Sequence, residues 1–147
     1  MKKILLVEDF EDKAIVIKDF LRNSYPDVIV NECSSYKSAC NEIYGEEKYD
    51  LILLDMTMST YDISNEDNGG EPEPRAGRLI LKGMYLRDIS TKVVVVTMYN
   101  SFDGQKLNSL NKELSSNYGD NYLGYVSFQF QSNEWEGELR AFIDNNL

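Results

Sequence analysis

Residues 50–62 read DLILLDMTMSTYD. Leu51 to Leu54 are apolar and lie between two aspartates, so the run has the length and character of a buried strand that stops at a carboxylate. Burying an ionised carboxylate without a partner costs several kcal/mol or more. Asp55 therefore belongs at a solvent-reachable strand end or beside a cation.

The pattern repeats on both sides of this segment. KKILLV (2–7) is a short apolar run closed by Glu8-Asp9 and reads as a strand buried on both faces. Residues 12–23 follow with Ala14, Ile17 and Leu21 at helical spacing. VIVNEC (28–33) predicts a second strand and 35–46 a second helix, ahead of LILLD as the third strand. Residues 77–89 predict a helix with Ile80 and Met84 on one face, and KVVVVT (92–97) a fourth strand rich in β-branched residues. A helix over 105–117 carries Leu107, Leu110 and Leu114, and YLGYVSF (122–128) is the fifth strand. Asn133 with Glu136 resembles a capping box for a last helix lined by Trp135, Leu139, Phe142 and Ile143. Strict strand–helix alternation implies an α/β fold, a parallel sheet covered on both faces. One segment breaks the rhythm. Residues 60–77, rich in glycine, proline and acidic side chains, form a long loop of the kind that is functional or disordered.

Composition narrows the function. At 147 residues the chain suits a single domain with a real core, and 42% apolar residues with ten tyrosines argue against disorder. The net charge of −10 disfavours nucleic-acid or anionic-membrane binding, because both need a basic face. With no histidine, Ser-His-Asp and Cys-His catalysis and His-ligated zinc are excluded. Cys33 and Cys40 are too few for a zinc site or a disulfide framework and suit a reducing compartment. The apolar run at the N-terminus is too short for a signal peptide or a membrane span, so a cytoplasmic location is expected.

Ligands of doubly wound sheets bind beyond the carboxyl ends of the strands. Glu8 and Asp9 close the first strand, Asp55 the third and Thr97 the fourth, so three carboxylates and a hydroxyl converge on one edge. Hard oxygen ligands in such a cluster suit a magnesium ion, which would relieve their repulsion.

ILLVED (4–9), LILLDMTM (51–58) and VVVVT (93–97), with the five-fold alternation, resemble the receiver domain of response regulators in two-component signalling. The resemblance implies a flavodoxin-like (βα)5 domain with strand order 2-1-3-4-5, spanning 1–147 with a loop insertion at about 63–76. It implies that Glu8, Asp9, Asp55 and the carbonyl of Thr57 hold Mg2+, that Asp55 accepts the phosphoryl group, and that the Thr97 hydroxyl grips it. Tyr125 matches the aromatic residue that moves on activation. The expected partners are a histidine kinase or phosphotransfer protein and a downstream protein, met through helix four, strand five and helix five. No output domain is expected, nor catalysis beyond the chain's own phosphorylation and dephosphorylation.

Three positions depart from that pattern. Receivers carry a lysine at the end of strand five, where this chain has Phe128, and no lysine occurs in 113–147. Met98 follows Thr97 where a small residue is usual, and is expected to crowd the phosphoryl site. Ser59 stands where proline is frequent, ahead of the long loop. The cluster is thus expected to lack a neutralising lysine, with Arg75 and Arg78 as the nearest cations to meet a phosphoryl group. The alternative is a pseudo-receiver, a protein-binding module indifferent to phosphorylation. A haloacid-dehalogenase-type phosphatase would need a second acid where Thr57 stands, and a flavodoxin would need a phosphate loop after strand one.

Overall fold

The computed structural model describes residues 1–60, 72–73, 75–102 and 104–147. Most of the 63–76 insertion lies outside the described residues. Five strands form one parallel sheet: β1 (Lys3–Val7), β2 (Ile29–Cys33), β3 (Leu51–Leu54), β4 (Lys92–Thr97) and β5 (Tyr122–Ser127). Numbered this way, their order across the sheet is 2-1-3-4-5, as the resemblance implies. Five helices alternate with them: α1 (Glu11–Ser24), α2 (Tyr36–Ile43), α3 (Ala76–Leu86), α4 (Leu107–Asn117) and α5 (Glu134–Asn146).

The apolar runs are continuous because both faces of the sheet are covered. Side chains alternate across a strand, so Leu5, Val7, Ile52, Leu54, Val93 and Val95 enter the core shared with α2, α3 and α4. Ile4, Leu6, Leu51, Leu53, Val94 and Val96 enter the opposite core with α1 and α5. Among the described residues no helix is long and apolar enough to cross a membrane.

Several boundaries differ from the sequence expectation. α2 is shorter than 35–46, beginning after Ser35, whose hydroxyl accepts the Ser38 N–H in a reciprocal capping box. The box expected from Asn133 and Glu136 does not form. Asn133 has φ −106° and ψ 8° rather than an extended backbone, and the Ser132 hydroxyl accepts the Glu134 N–H instead. α4 starts two residues late because Gln105–Lys106 pair antiparallel with Ser101–Phe102. A second short ribbon joins Met58–Ser59 to Pro72–Glu73, so the long loop returns to pair with the segment that follows Asp55.

Candidate functional site

The strand register builds the site. Val7 pairs with Leu54 and Leu54 with Val95, so the residues that follow, Glu8-Asp9, Asp55 and Thr97, emerge at one edge of the sheet. The Asp55 N–H donates to Val7 O at 3.0 Å, which fixes the two acidic strand ends side by side. Carboxylate oxygens of Glu8, Asp9 and Asp55 lie within 4.8 Å of one another. Thr97 is buried and its hydroxyl accepts the Tyr99 N–H at 3.1 Å. Thr57 is half-buried two residues beyond Asp55.

Each carboxylate is held differently. Glu8 is 5% exposed, and its Oε2 accepts the Phe10 N–H at 3.1 Å. Asp9 is half-buried, with Oδ2 accepting the Ser59 N–H at 2.9 Å, a bond that ties the loop after β3 to the end of β1. Asp55 is 4% exposed, and its Oδ1 accepts the N–H of Met56 at 2.8 Å. Burial raises the Asp9 carboxyl above its ordinary 3.8; the Ser59 hydrogen bond opposes this and the Glu8 charge adds to it. Burial likewise pushes Asp55 well above 3.8, against the attraction of Lys13 and with the repulsion of Glu8.

Lys13 overturns the expectation that the cluster lacks a neutralising lysine. It is 1% exposed, on the core face of α1 with Ala14, Ile17, Phe20 and Leu21. Its Nζ lies 2.5 Å from Glu8 Oε1 and 3.8 Å from Asp55 Oδ2, and donates to Val96 O at 2.8 Å. The sequence carried a signal for it, since Lys13 precedes Ile17, Phe20 and Leu21 by four, seven and eight residues, the spacing of one helix face. Phe128 is buried beneath the ammonium, with its ring centroid 5.9 Å from Nζ, and packs on Trp135 and Phe130.

Arg78 does not reach the cluster. Its Nη1 pairs with Glu113 of α4 at 2.5 Å, and its other terminal nitrogen bonds Gln105. Arg75 directly precedes α3. Met98 is exposed just past β4, and Ser59 is buried in the short ribbon. Tyr125 is half-buried against the core shared with α2–α4 and lines a cavity of about 490 Å3 with Asn100, Leu107 and Ser127.

A divalent cation fits this donor set: three carboxylates converge, and Asp9 and Glu8 border a cleft of about 360 Å3 that also carries Glu11 and Glu32. Lys13 already supplies one positive charge to it.

The fold is that of response-regulator receiver domains. The response regulator TrrA of Thermotoga maritima, solved in complex with Mg2+ and BeF, superposes with a TM-score of 0.65 at 18% identity, over 100% of both chains. The receiver domain of a sensor histidine kinase of Pseudomonas aeruginosa, with magnesium in its active-site cleft, gives 0.63 at 21% identity, over 99% of this chain and 96% of that one. The phosphorylated cyanobacterial phytochrome response regulator RcpA gives 0.67 at 20%, over 99% and 93%. Among curated proteins, the chain is 28% identical over 142 residues to the Detocs response regulatory protein DtcB of Enterobacter cloacae, covering 93% of this chain and 95% of that protein. It is also 28% identical over 145 residues to an uncharacterised protein, y4jR, of Sinorhizobium fredii, covering 94% of each. No family model matches the chain.

Proposed function

We propose that the chain is a response regulator that accepts a phosphoryl group on Asp55 from a histidine kinase or phosphotransfer protein. The observation that carries this reading is the convergence of Glu8, Asp9 and Asp55 at the open edge of a receiver-fold sheet, with Thr97 ending the neighbouring strand. Asp55 Oδ2 supplies the electron pair for the new O–P bond while the donor's P–N bond breaks, and the departing imidazole keeps the P–N electrons and takes a proton from solvent. Glu8, Asp9, Asp55 and the Thr57 carbonyl would hold magnesium, which when bound screens charge on the transferring group. Thr97 offers a hydroxyl to the phosphoryl oxygens. The chain acts on no outside substrate in this reading; its output is contact with a downstream protein, and Tyr125, set against the core, is the residue placed to report the change.

Acetyl phosphate with magnesium tests the chemistry by intact mass. One phosphoryl group should appear on the parent chain and none on Asp55→Asn. A second reading, the phosphorylation-independent binding module, draws its support from Lys13, whose charge already offsets part of the cluster. A parent chain left unmodified at saturating magnesium selects that reading.

A further inference from the structure

We infer that Lys13, reaching in from α1, is the cation that meets the phosphoryl group on Asp55, a role for which the end of β5 offers only Phe128. This rests on the receiver reading above. The two oxygens of Asp55 are not equivalent: Oδ1 is taken by the Met56 N–H, while Oδ2 lies on the side of the Lys13 ammonium, 3.8 Å away. An ammonium has three protons to donate. Val96 O and Glu8 Oε1 take two, and Asp55 Oδ2 is the next anionic oxygen, too far for a hydrogen bond. A phosphoryl group on Oδ2 carries roughly two negative charges in place of the carboxylate's one and sets three acceptor oxygens beyond it, which brings acceptors within reach of an ammonium already in place.

The anchoring of Lys13 supports the same assignment. Its bond to Val96 O sets Nζ beside the backbone that leads into Thr97, so ammonium and hydroxyl are carried by the same strand end. The Phe128 ring lies 5.9 Å from Nζ and fills the space beneath it, leaving the charge to be delivered from α1. Glu8 is the residue Lys13 must share. While the ammonium holds Oε1 of Glu8, that oxygen is withheld from a metal, and a phosphoryl group that draws the ammonium away releases it. Lys13 therefore opposes magnesium in the resting site and favours the phosphoryl group in the loaded one.

The two effects can be separated. Parent, Lys13→Met and the double variant Lys13→Met with Phe128→Lys are incubated with acetyl phosphate and magnesium and followed by intact mass, and Mg2+ alone is titrated by backbone NMR shifts. Lys13→Met should phosphorylate roughly 10-fold or more slowly than the parent while binding magnesium as tightly or more tightly. The double variant, which returns an ammonium from β5, should recover phosphorylation. Lys13→Met that phosphorylates at the parental rate overturns the inference, and so does loss of magnesium binding and phosphorylation together, which marks a residue that only holds the fold. Both failures leave the receiver reading standing. A parent chain that takes up no phosphoryl group overturns that reading and the inference with it.

Discussion

The ammonium of Lys13 stands 2.5 Å from the Glu8 carboxylate, with both side chains 2% exposed. Charges so deeply buried depend on each other, because removing one strands the other in a low-dielectric interior. Glu8→Gln keeps the shape and removes the charge nearest the ammonium, leaving Val96 O and the more distant Asp55 Oδ2. The expected loss is about 2–4 kcal/mol, below the upper end for a fully broken buried pair because Asp55 remains. Urea denaturation without magnesium measures it, and an unchanged midpoint would show that the pair contributes nothing to stability.

Asp55→Asn should act in the opposite direction. Burial raises the folded-state carboxyl well above 3.8, and the attraction of Lys13 does not cancel that cost. A carboxyl with a raised folded pKa makes the native state bind more protons than the unfolded chain, so its contribution to stability falls as pH rises through the window above 3.8. Removing it should stabilise the protein at neutral pH by roughly 1 kcal/mol, or about 3 °C in Tm, and the gain should vanish near pH 3. Melting curves of parent and variant in EDTA check both the sign and the pH trend. A gain that persists undiminished at low pH would rule out desolvation of the carboxylate as its source.

How much of this was legible in the sequence depends on what kind of signal each residue left. The five strands announced themselves as apolar runs, and Glu8, Asp9, Asp55 and Thr97 as polar residues at their carboxyl ends, because a strand end is where a buried run must meet water or a ligand. Lys13 left a weaker mark. A lone lysine in a helix that also carries Glu11, Asp12 and Lys18 reads as solvated surface, and only its register with Ile17, Phe20 and Leu21 places it inside. Arg78 misled for the converse reason. Nearness in sequence to the loop suggested the site, whereas the turn of α3 aims it at Glu113 on α4. The Asn133 cap failed because capping is decided by backbone dihedrals that the residue types do not fix.

Asp9 differs from its two neighbours in being only half-buried, and among the described residues it makes no ion pair as short as that between Glu8 and Lys13. It is thus the carboxylate most open to an incoming cation. Asp9→Asn should weaken magnesium binding by roughly 10-fold, while its amide oxygen can still accept the Ser59 N–H and keep the loop in place. Magnesium titration followed by Trp135 fluorescence is a suitable measure, since that indole packs on Phe128 beneath the site. Parental affinity in the variant would remove Asp9 from the ligand set.

Gly77 links the start of α3 to the loop that follows Asp55. Its N–H donates to Met56 O at 3.0 Å, and a Cβ added there would lie 2.4 Å from Met56 Sδ and 2.9 Å from Met56 Cα. The sulfur belongs to an adaptable side chain and can move, but the Cα cannot move without the loop, and the Met56 N–H is the donor that holds Asp55 Oδ1. Gly77→Ala should therefore cost about 1–3 kcal/mol through overpacking and also slow phosphorylation by acetyl phosphate, although residue 77 makes no contact with the phosphoryl group. Adding Met56→Ala removes the sulfur clash and leaves the backbone one. The double variant should regain part of the stability and little of the phosphorylation rate. Full recovery of both would mean that the side chain alone sets the spacing, and that Gly77 does not position Asp55 through the backbone.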